Sequence, residues 1–219
     1  MVARRTAEVV YPDSDGKPMA DNTLQWQWMH TIESNLERLY ADRDDVFVAG
    51  DNLWYPVEGE PEVRQAPDVY VVFGRPKGHR GSYQQWNEGG LPLTVVFEIL
   101  SPGNTKMEMD EKFRFYDEHG VEEYYLYDPQ KEKLTVYQRG RAALRKIRFG
   151  QEFVSPRLGI RFDLTDGELV IYHPDGGRFL TNLEDYAERR ALKRQADDEK
   201  KRADRLAEKL RALGLDPEA

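Results

Sequence analysis

The amino-acid sequence predicts an α/β fold, in which a mixed β-sheet is flanked by two principal helices and followed by a helical tail. Three observations support this prediction. A helical pattern near the N-terminus precedes a series of short apolar segments, and a second helical pattern lies between two of those segments. Residues 184–213 contain no Gly or Pro and are rich in helix-forming residues, which is typical of one long helix.

The first helix is predicted over residues 22–40. Asp21 or Asn22 is a suitable N-cap, because a side-chain oxygen at that position accepts a hydrogen bond from the first turn. Apolar residues then recur every three or four positions, which is the spacing of one face of a helix. This predicted stripe contains Leu24, Trp28, Ile32, Leu36 and Leu39.

Strands are predicted where β-branched and aromatic residues cluster between turn residues. An Asp51-Asn52 turn separates the first two, and a polar, Gly-rich loop over residues 74–90 precedes residues 93–100. That last segment is apolar on both faces, as expected of a central strand. Asp128-Pro129 predicts a hairpin turn. The predicted strands are residues 46–49, 53–55, 68–73, 93–100, 123–127, 134–137, 143–149, 160–162 and 168–172.

The second helix and the tail are defined by their end signals. Thr105 and Glu108 form a capping box, and Gly120 can end the helix that it starts. We therefore predict one domain over residues 1–183 and a charged helical tail over residues 184–219, ended by Gly214 and Pro217.

Apolar residues along the tail recur at steps of three, four or seven residues. Such a seam is compatible with a coiled coil and a homodimer, and a solvated single helix remains the alternative. The seam consists of Ala196, Ala203, Leu206, Leu210 and Leu213.

Composition excludes several classes of protein. The absence of cysteine excludes disulfides, thiolate metal sites and cysteine nucleophiles. No zinc-binding His spacing, P-loop or dinucleotide fingerprint is present. Residues 95–97 are followed by Glu98 and no apolar run exceeds five residues, so we expect no membrane span and a cytoplasmic protein. Acidic and basic residues balance in the tail, so the net charge of −8 belongs to residues 1–183.

Glu98 is the most informative residue, because it lies inside the apolar segment 95–100, where an unpaired carboxylate is costly. An Arg or Lys partner, protonation or a divalent cation could compensate. Asp68 opens the preceding strong strand, and two carboxylates that meet at a sheet edge suit Mg²⁺. Lys112 lies one helical turn from Met109 and Tyr116, so its amine can point toward the sheet. These residues alone leave open a structural Glu98–Lys112 ion pair, with Asp68 acting only in a turn.

Three spaced motifs follow one another along the chain. They are Ala66-Pro67-Asp68-Val69, residues 96–102 (Val-Phe-Glu-Ile-Leu-Ser-Pro) and residues 112–129, which begin Lys-Phe-Arg-Phe-Tyr and end Tyr-Asp-Pro. Together they resemble one bacterial family, the putative restriction-endonuclease family, a domain family of unknown function that is abundant in cyanobacteria and belongs to the PD-(D/E)XK nuclease superfamily. The similarity extends from about residue 21 to the C-terminus and includes the tail.

This resemblance implies a restriction-endonuclease-like core with a Mg²⁺-dependent phosphodiesterase site, in which Mn²⁺ may substitute. Asp68 and Glu98 would take the two acidic positions, and the backbone carbonyl of Ile99 would complete the metal site. The superfamily pattern places Lys two residues after the second acid, where this chain has Leu100. Related nucleases supply the amine from the neighbouring helix, which makes Lys112 the first choice and Lys106 the reserve.

The leading hypothesis is a metal-dependent endonuclease that hydrolyses DNA, with Asp68, Glu98 and Lys112 as catalytic residues. The alternative is a catalytically silent module that binds nucleic acid or a partner protein, and a third interpretation is a hydrolase of small phosphate esters. Weaker site candidates are Glu33, Asp51 and Tyr116. Two basic segments, residues 75–80 and 139–148, could contact phosphates or could be solvated loop and hairpin.

Overall fold

The computed structural model describes residues 9–14, 16 and 20–213. The chain divides into two compact units, Met1–Phe179 and Leu180–Ala219. The boundary after residue 183 stays a prediction. In chain order the elements are α1 (Thr23–Leu39), β1 (Val46–Ala49), β2 (Trp54–Tyr55), β3 (Val69–Phe73), β4 (Tyr83–Gln84), β5 (Val95–Ile99), α2 (Lys106–Glu118), β6 (Glu123–Asp128), β7 (Lys133–Arg139), β8 (Leu144–Ile147), β9 (Glu152–Val154), β10 (Arg161–Asp163), β11 (Val170–Tyr172) and α3 (Asn182–Ala212).

A six-stranded mixed sheet forms the centre of the first unit, which confirms the predicted fold class. The strand order is β1-β3-β5-β6-β7-β8. β5 and β6 are parallel, and every other neighbouring pair is antiparallel. The crossover between the two parallel strands contains α2, which a capping box of Thr105 and Glu108 begins, as predicted.

The two helices of this unit cover opposite faces of the sheet. Met29, Ile32 and Leu36 of α1 join one buried cluster, which also includes residues of β9–β11. Tyr116 of α2, with Phe113 beside it, joins the cluster on the other face. Residues that alternate along each strand therefore point toward one helix or the other.

The apolar stripe predicted for α1 is rotated from the one observed. Leu24 is 41% exposed, and the buried side chains are Gln25, Met29, Ile32, Asn35 and Leu36. Trp28 and Leu39 lie at the margin of the core. The polar side chains Gln25 and Asn35 replace apolar ones on the buried face, so an apolar pattern alone pointed to the wrong rotation.

The segment between β1 and β5 contains more structure than predicted. β2 pairs in parallel with β4, and not with β1 across the Asp51-Asn52 turn. The predicted loop over residues 74–90 contains β4 and a 3-10 helix, Gln85–Glu88. Trp54 and Tyr83 anchor these elements, because both side chains are fully buried in the cluster on the face of the sheet that α2 covers.

The second unit is built on α3. Its first turn is capped by Thr181 and Glu184, which form another capping box. None of its described side chains is buried, and Leu183, Leu192 and Leu206 are exposed. The predicted end signals Gly214 and Pro217 lie outside the described residues, and the coiled coil stays a prediction. Within the described ranges, every helix is too short or too polar to cross a membrane.

Candidate metal centre

Asp68 and Glu98 lie opposite each other at one end of the central sheet. Val69 of β3 pairs with Phe97 of β5, and one step further in this antiparallel register places Asp68 opposite Glu98. Both side chains are buried, with 8% of Asp68 and 2% of Glu98 exposed. Two adjacent strands therefore hold two carboxylates in a site that bulk water barely reaches.

A close backbone approach fixes the start of β3. A Cβ atom added to Gly50 would lie 2.3 Å from the carbonyl oxygen of Asp68, far inside van der Waals contact. The next residue, Asp51, donates its backbone N–H to the carbonyl of Pro67 at 2.9 Å. Only glycine allows β1 to pass this close to Asp68, so Gly50 helps to position the carboxylate.

Helix α2 supplies both side-chain partners of Glu98. The Lys112 amine donates to Oε2 of Glu98 at 2.8 Å, and the Tyr116 hydroxyl donates to Oε1 at 2.5 Å. The two residues are four positions apart, so they project from the same face of the helix. The ion pair that the sequence left open is therefore present, and Tyr116 is part of the same cluster.

Burial and charge determine the protonation of this cluster. Burial and the neighbouring Glu98 raise the pKa of Asp68 to about 8. The Ile99 N–H, which donates to Oδ2 of Asp68 at 2.6 Å, opposes part of this shift. Burial would lower the pKa of Lys112, but the charges of Glu98 and Asp68 raise it above its ordinary value. The lysine therefore remains an ammonium, and Asp68 gains or loses its proton near neutral pH.

Gln25 is a member of this cluster that sequence reasoning missed. Its Nε2 donates to the carbonyl of Ile99 at 3.1 Å, and its Oε1 accepts the N–H of Asp21 at 2.9 Å. Gln25 also opposes, in part, the rise that burial causes in the pKa of Asp68. Gln25 thus connects the start of α1 to the Ile99 carbonyl, which the family resemblance assigns to the metal site. A stripe counted back from Met29 would have placed Gln25 on the buried face of the helix.

The amine near the carboxylates comes from α2 and not from the strand. Leu100, which stands where the superfamily has Lys, follows the end of β5. Lys106 is the exposed first residue of α2, and no ion pair joins it to either carboxylate within the described residues. Of the two lysines considered from sequence, Lys112 is the one that the fold brings to Glu98.

The weaker acidic candidates lie elsewhere. Glu33 lines a groove of about 600 Å³ that runs along β1 and the 77–80 loop, and Asp68, Glu98 and Lys112 are not among its lining residues. Asp51 sits at the turn after β1 with a positive φ of 55°, as a turn-forming Asp can. Neither acid joins the carboxylate pair.

The first basic segment is used within the fold. Arg75 and Arg80 both pair with Glu88, at 2.9 Å and 2.6 Å. The Lys77 amine donates to the carbonyls of Tyr40 and Ala41 after α1. These three cations organise an exposed loop, and a phosphate-binding role for this segment stays a prediction.

The second basic segment is divided between two roles. Arg139 donates to the carbonyls of Tyr116, Asp117 and Val121 and so stabilises the C-terminal end of α2. The other four basic side chains of the segment are exposed, and within the described residues none of them forms an ion pair. These free cations are Arg141, Arg145, Lys146 and Arg148.

Comparisons with known proteins agree with this architecture. The sequence model of the Uma2 family, described as a putative restriction endonuclease, matches residues 22–167. The fold is similar to a crystal structure from Anabaena variabilis ATCC 29413, described as a putative nuclease belonging to DUF820. The TM-score is 0.50 at 14% identity, over 65% of this chain and 77% of the other. No curated protein gave a significant match.

The family match spans the first helix, β1 to β10 and α2, and it includes both carboxylates, Lys112 and Tyr116. Restriction-endonuclease-like families generally use divalent metals. The extent of the match, together with the order of elements around the carboxylate pair, shows that this chain belongs to the Uma2 family of putative restriction endonucleases.

Proposed function

We propose that this protein is an endonuclease that hydrolyses phosphodiester bonds of DNA with Mg²⁺ or Mn²⁺ held at Asp68 and Glu98. The observation that carries the proposal is the register that sets these two carboxylates opposite each other, with the Lys112 amine 2.8 Å from Glu98. Family membership supports the nuclease class. The cation, the DNA substrate and the role of each residue are parts of the proposal.

The chemistry of the donors fits a hard divalent cation. Asp68, Glu98 and the carbonyl of Ile99 offer only oxygen, which Mg²⁺ and Mn²⁺ prefer, and such ions often bind through one or two carboxylates. The raised pKa of Asp68 reflects two buried acids side by side, a repulsion that a cation would relieve. No cluster of three or more His, Cys, Asp or Glu suited to a metal occurs among the described residues. Water and substrate oxygens would therefore complete the coordination.

Each residue has a distinct task in this proposal. Asp68 must release its proton to bind the cation, and Tyr116 holds one oxygen of Glu98 in place. The Lys112 ammonium stabilises negative charge on the phosphate oxygens as the bond to the attacking oxygen forms. When bound, a divalent cation would polarise the phosphate and activate water. Gln25 donates to the Ile99 carbonyl oxygen and so fixes its orientation.

The free cations near β8 support a nucleic-acid substrate. Lys146 lies opposite Tyr137 of β7, whose ring contacts Phe113 of α2. It therefore points to the face of the sheet that carries Glu98. Arg148, two residues further on, follows the same alternation. Exposed cations on this face can bind the phosphate backbone without reading sequence.

Cleavage of plasmid DNA with Mg²⁺ or Mn²⁺ tests the proposal directly. We expect nicking or linearisation by the wild type and none by Asp68→Asn or Glu98→Gln. Glu123→Gln is the matched control, because Glu123 is an equally buried acid bonded to Tyr125 and Ser155 on the opposite face. This variant should keep its activity wherever it stays folded. Cleavage that survives Glu98→Gln would refute the site.

One observation favours a silent binding module as the second candidate. In the present geometry Lys112 and Tyr116 already satisfy both oxygens of Glu98, so the site is stable without a cation. Titration calorimetry separates the two candidates. Release of heat with Mn²⁺ that Glu98→Gln abolishes supports the nuclease, whereas DNA binding without any Mn²⁺ binding supports the silent module.

A further inference from the structure

The hydroxyl of Tyr124 is buried without a hydrogen-bond partner. It is the one such side-chain atom among the described residues, and the side chain is 0% exposed. Burying a hydroxyl unpaired is unfavourable, and most buried polar groups in folded proteins are paired. A phenylalanine would fill the same place without this cost, so the hydroxyl calls for an explanation.

This hydroxyl belongs to the neighbourhood of the carboxylate pair. Tyr124 of β6 lies opposite Val96 of β5, and Glu98 projects from the same face two residues further along. The Tyr124 ring is 5.2 Å from that of Tyr116, whose hydroxyl already donates to Glu98. Burial raises the pKa of Tyr124 well above its usual value, and the charges of Glu98 and Asp68 raise it further. The hydroxyl therefore stays protonated and available as a donor.

Packing fixes the position of this ring. Tyr137 stacks on Tyr124 with ring centroids 5.4 Å apart and planes 14° apart. Phe113 of α2 closes the cluster at 6.5 Å. A donor that is already held in place loses little entropy when it forms a bond. Tyr124 is thus preorganised beside a carboxylate that it does not yet contact.

The charges of the site suggest when that contact forms. A divalent cation bound at Glu98 would repel the Lys112 ammonium, because two positive charges on one buried carboxylate are unfavourable. Glu98 would then lose the donor that now lies 2.8 Å from Oε2 and would keep only Tyr116. A carboxylate accepts about four hydrogen bonds, and a neutral hydroxyl can share it with a cation.

We propose that Tyr124 is a positioning residue for the cation-bound site, where its hydroxyl donates to Glu98 in place of Lys112. This inference rests on the proposed function. In this proposal Tyr116 donates to Glu98 both with and without a bound cation, whereas Tyr124 donates to Glu98 only when the cation is bound. The released Lys112 ammonium is then free to face the substrate phosphate.

The test compares Tyr124→Phe with wild type by thermal unfolding and by Mn²⁺ titration calorimetry. Without metal, the melting temperature of the variant should equal or exceed that of wild type, because the lost hydroxyl had no partner. The dissociation constant for Mn²⁺ should rise about tenfold, the usual effect of one hydrogen bond to a charged group. The rise in melting temperature at saturating Mn²⁺ should shrink accordingly.

Two further variants serve as controls. Tyr137→Phe removes a hydroxyl from the ring stacked on Tyr124, and it should leave Mn²⁺ affinity unchanged. Tyr116→Phe breaks a bond that already exists, so it should lower the melting temperature even without metal.

The outcomes separate this inference from the proposed function. A wild type that does not bind Mn²⁺ overturns both. If wild type binds Mn²⁺ and Tyr124→Phe binds it equally well, the nuclease proposal stands and the role of Tyr124 is refuted. A melting temperature that falls by several degrees in metal-free Tyr124→Phe also refutes it, because the hydroxyl would then be paired before any cation arrives.

Discussion

At the scale of single residues, the carboxyl group of Asp68 makes the candidate site sensitive to pH. It is buried beside Glu98, and one strong hydrogen bond from Ile99 does not offset that burial. Its pKa of about 8 means that it titrates near physiological pH. Protonation of this residue therefore controls how many negative charges the site presents to a cation.

The free energy of unfolding of the metal-free protein should fall as pH rises from about 4 to about 8. In this interval the unfolded chain has ionised Asp68, whose ordinary pKa is 3.8, while the folded protein still holds the proton. Folding is therefore favoured below the interval, and the advantage is lost as pH rises through the folded pKa. Urea unfolding at a series of pH values should show this slope, and Asp68→Asn should flatten it. An identical slope in the variant would assign the effect to other groups.

Removing Lys112 should cost far more stability than removing a lysine from an exposed ion pair. Lys112→Met leaves the Glu98 charge buried, and such losses amount to about 3 kcal/mol. Lys131→Met is the control, because Lys131 also lies 2.8 Å from a carboxylate, that of Asp128, but its side chain is 77% exposed. Surface pairs of this kind contribute about 1 kcal/mol or less. Equal free energies of unfolding for the two variants would contradict the buried pair.

At the scale of elements, four pieces of secondary structure meet at the site. β3 and β5 bring the carboxylates together through their register, and α2 brings Lys112 and Tyr116 through its capped start. The first turn of α1 adds Gln25 from the opposite face of the sheet. The close passage of β1 at Gly50 limits how far β3 can shift.

Gly50→Ala should disturb the site more than a glycine substitution in open space. The added Cβ would lie 2.3 Å from the Asp68 carbonyl, so β1 or β3 must move. Overpacking of this kind costs about 1–3 kcal/mol, and displacement of Asp68 should weaken Mn²⁺ binding. Gly150→Ala is the control, because a Cβ atom added there would meet nothing within 4 Å. Urea unfolding and calorimetry of both variants check this prediction, which a stable Gly50→Ala with unchanged Mn²⁺ affinity would contradict.

At the scale of the whole molecule, the charge of −8 is unevenly distributed. The acidic surplus lies outside the tail, and four exposed cations on and around β8 interrupt it. A nucleic acid would meet attraction at this edge and repulsion over much of the remaining surface. Binding without metal should therefore be weak and strongly dependent on salt.

Neutralising the cations near β8 should reduce the salt dependence of DNA binding. The variant Arg145→Gln, Lys146→Gln and Arg148→Gln removes up to three phosphate contacts, each worth about 0.9 in the slope of log K against log salt for duplex DNA. Its matched control replaces Lys200, Lys201 and Arg202 of α3 with Gln and should leave the slope unchanged. Fluorescence anisotropy in EDTA measures the slopes. Equal losses in both variants would show that the contacts are not specific to this edge.

Much of the architecture could be predicted because its signals are local. The capping box at Thr105, the apolar strand around Glu98 and the hairpin at Asp128 each depend on residues a few positions apart. The Glu98–Lys112 ion pair was also predictable, since an isolated acid in an apolar strand requires a partner. What failed was the rotation of α1, because Gln25 and Asn35 are buried by hydrogen bonds that no apolar pattern reveals.

The sequence by itself determined the class of fold, most of its elements and the family, together with the acids and the lysine that define the candidate site. Only the tertiary structure decided which of the basic side chains form internal contacts. Arg75 and Arg80 both pair with Glu88, and Arg139 donates to a backbone carbonyl at the end of α2. The tertiary structure also decided that Gln25 reaches Ile99 and that the Tyr124 hydroxyl remains unpaired beside Glu98. Such contacts join residues far apart in the chain, and hydrogen bonds and charges across those distances depend on packing that local patterns do not encode.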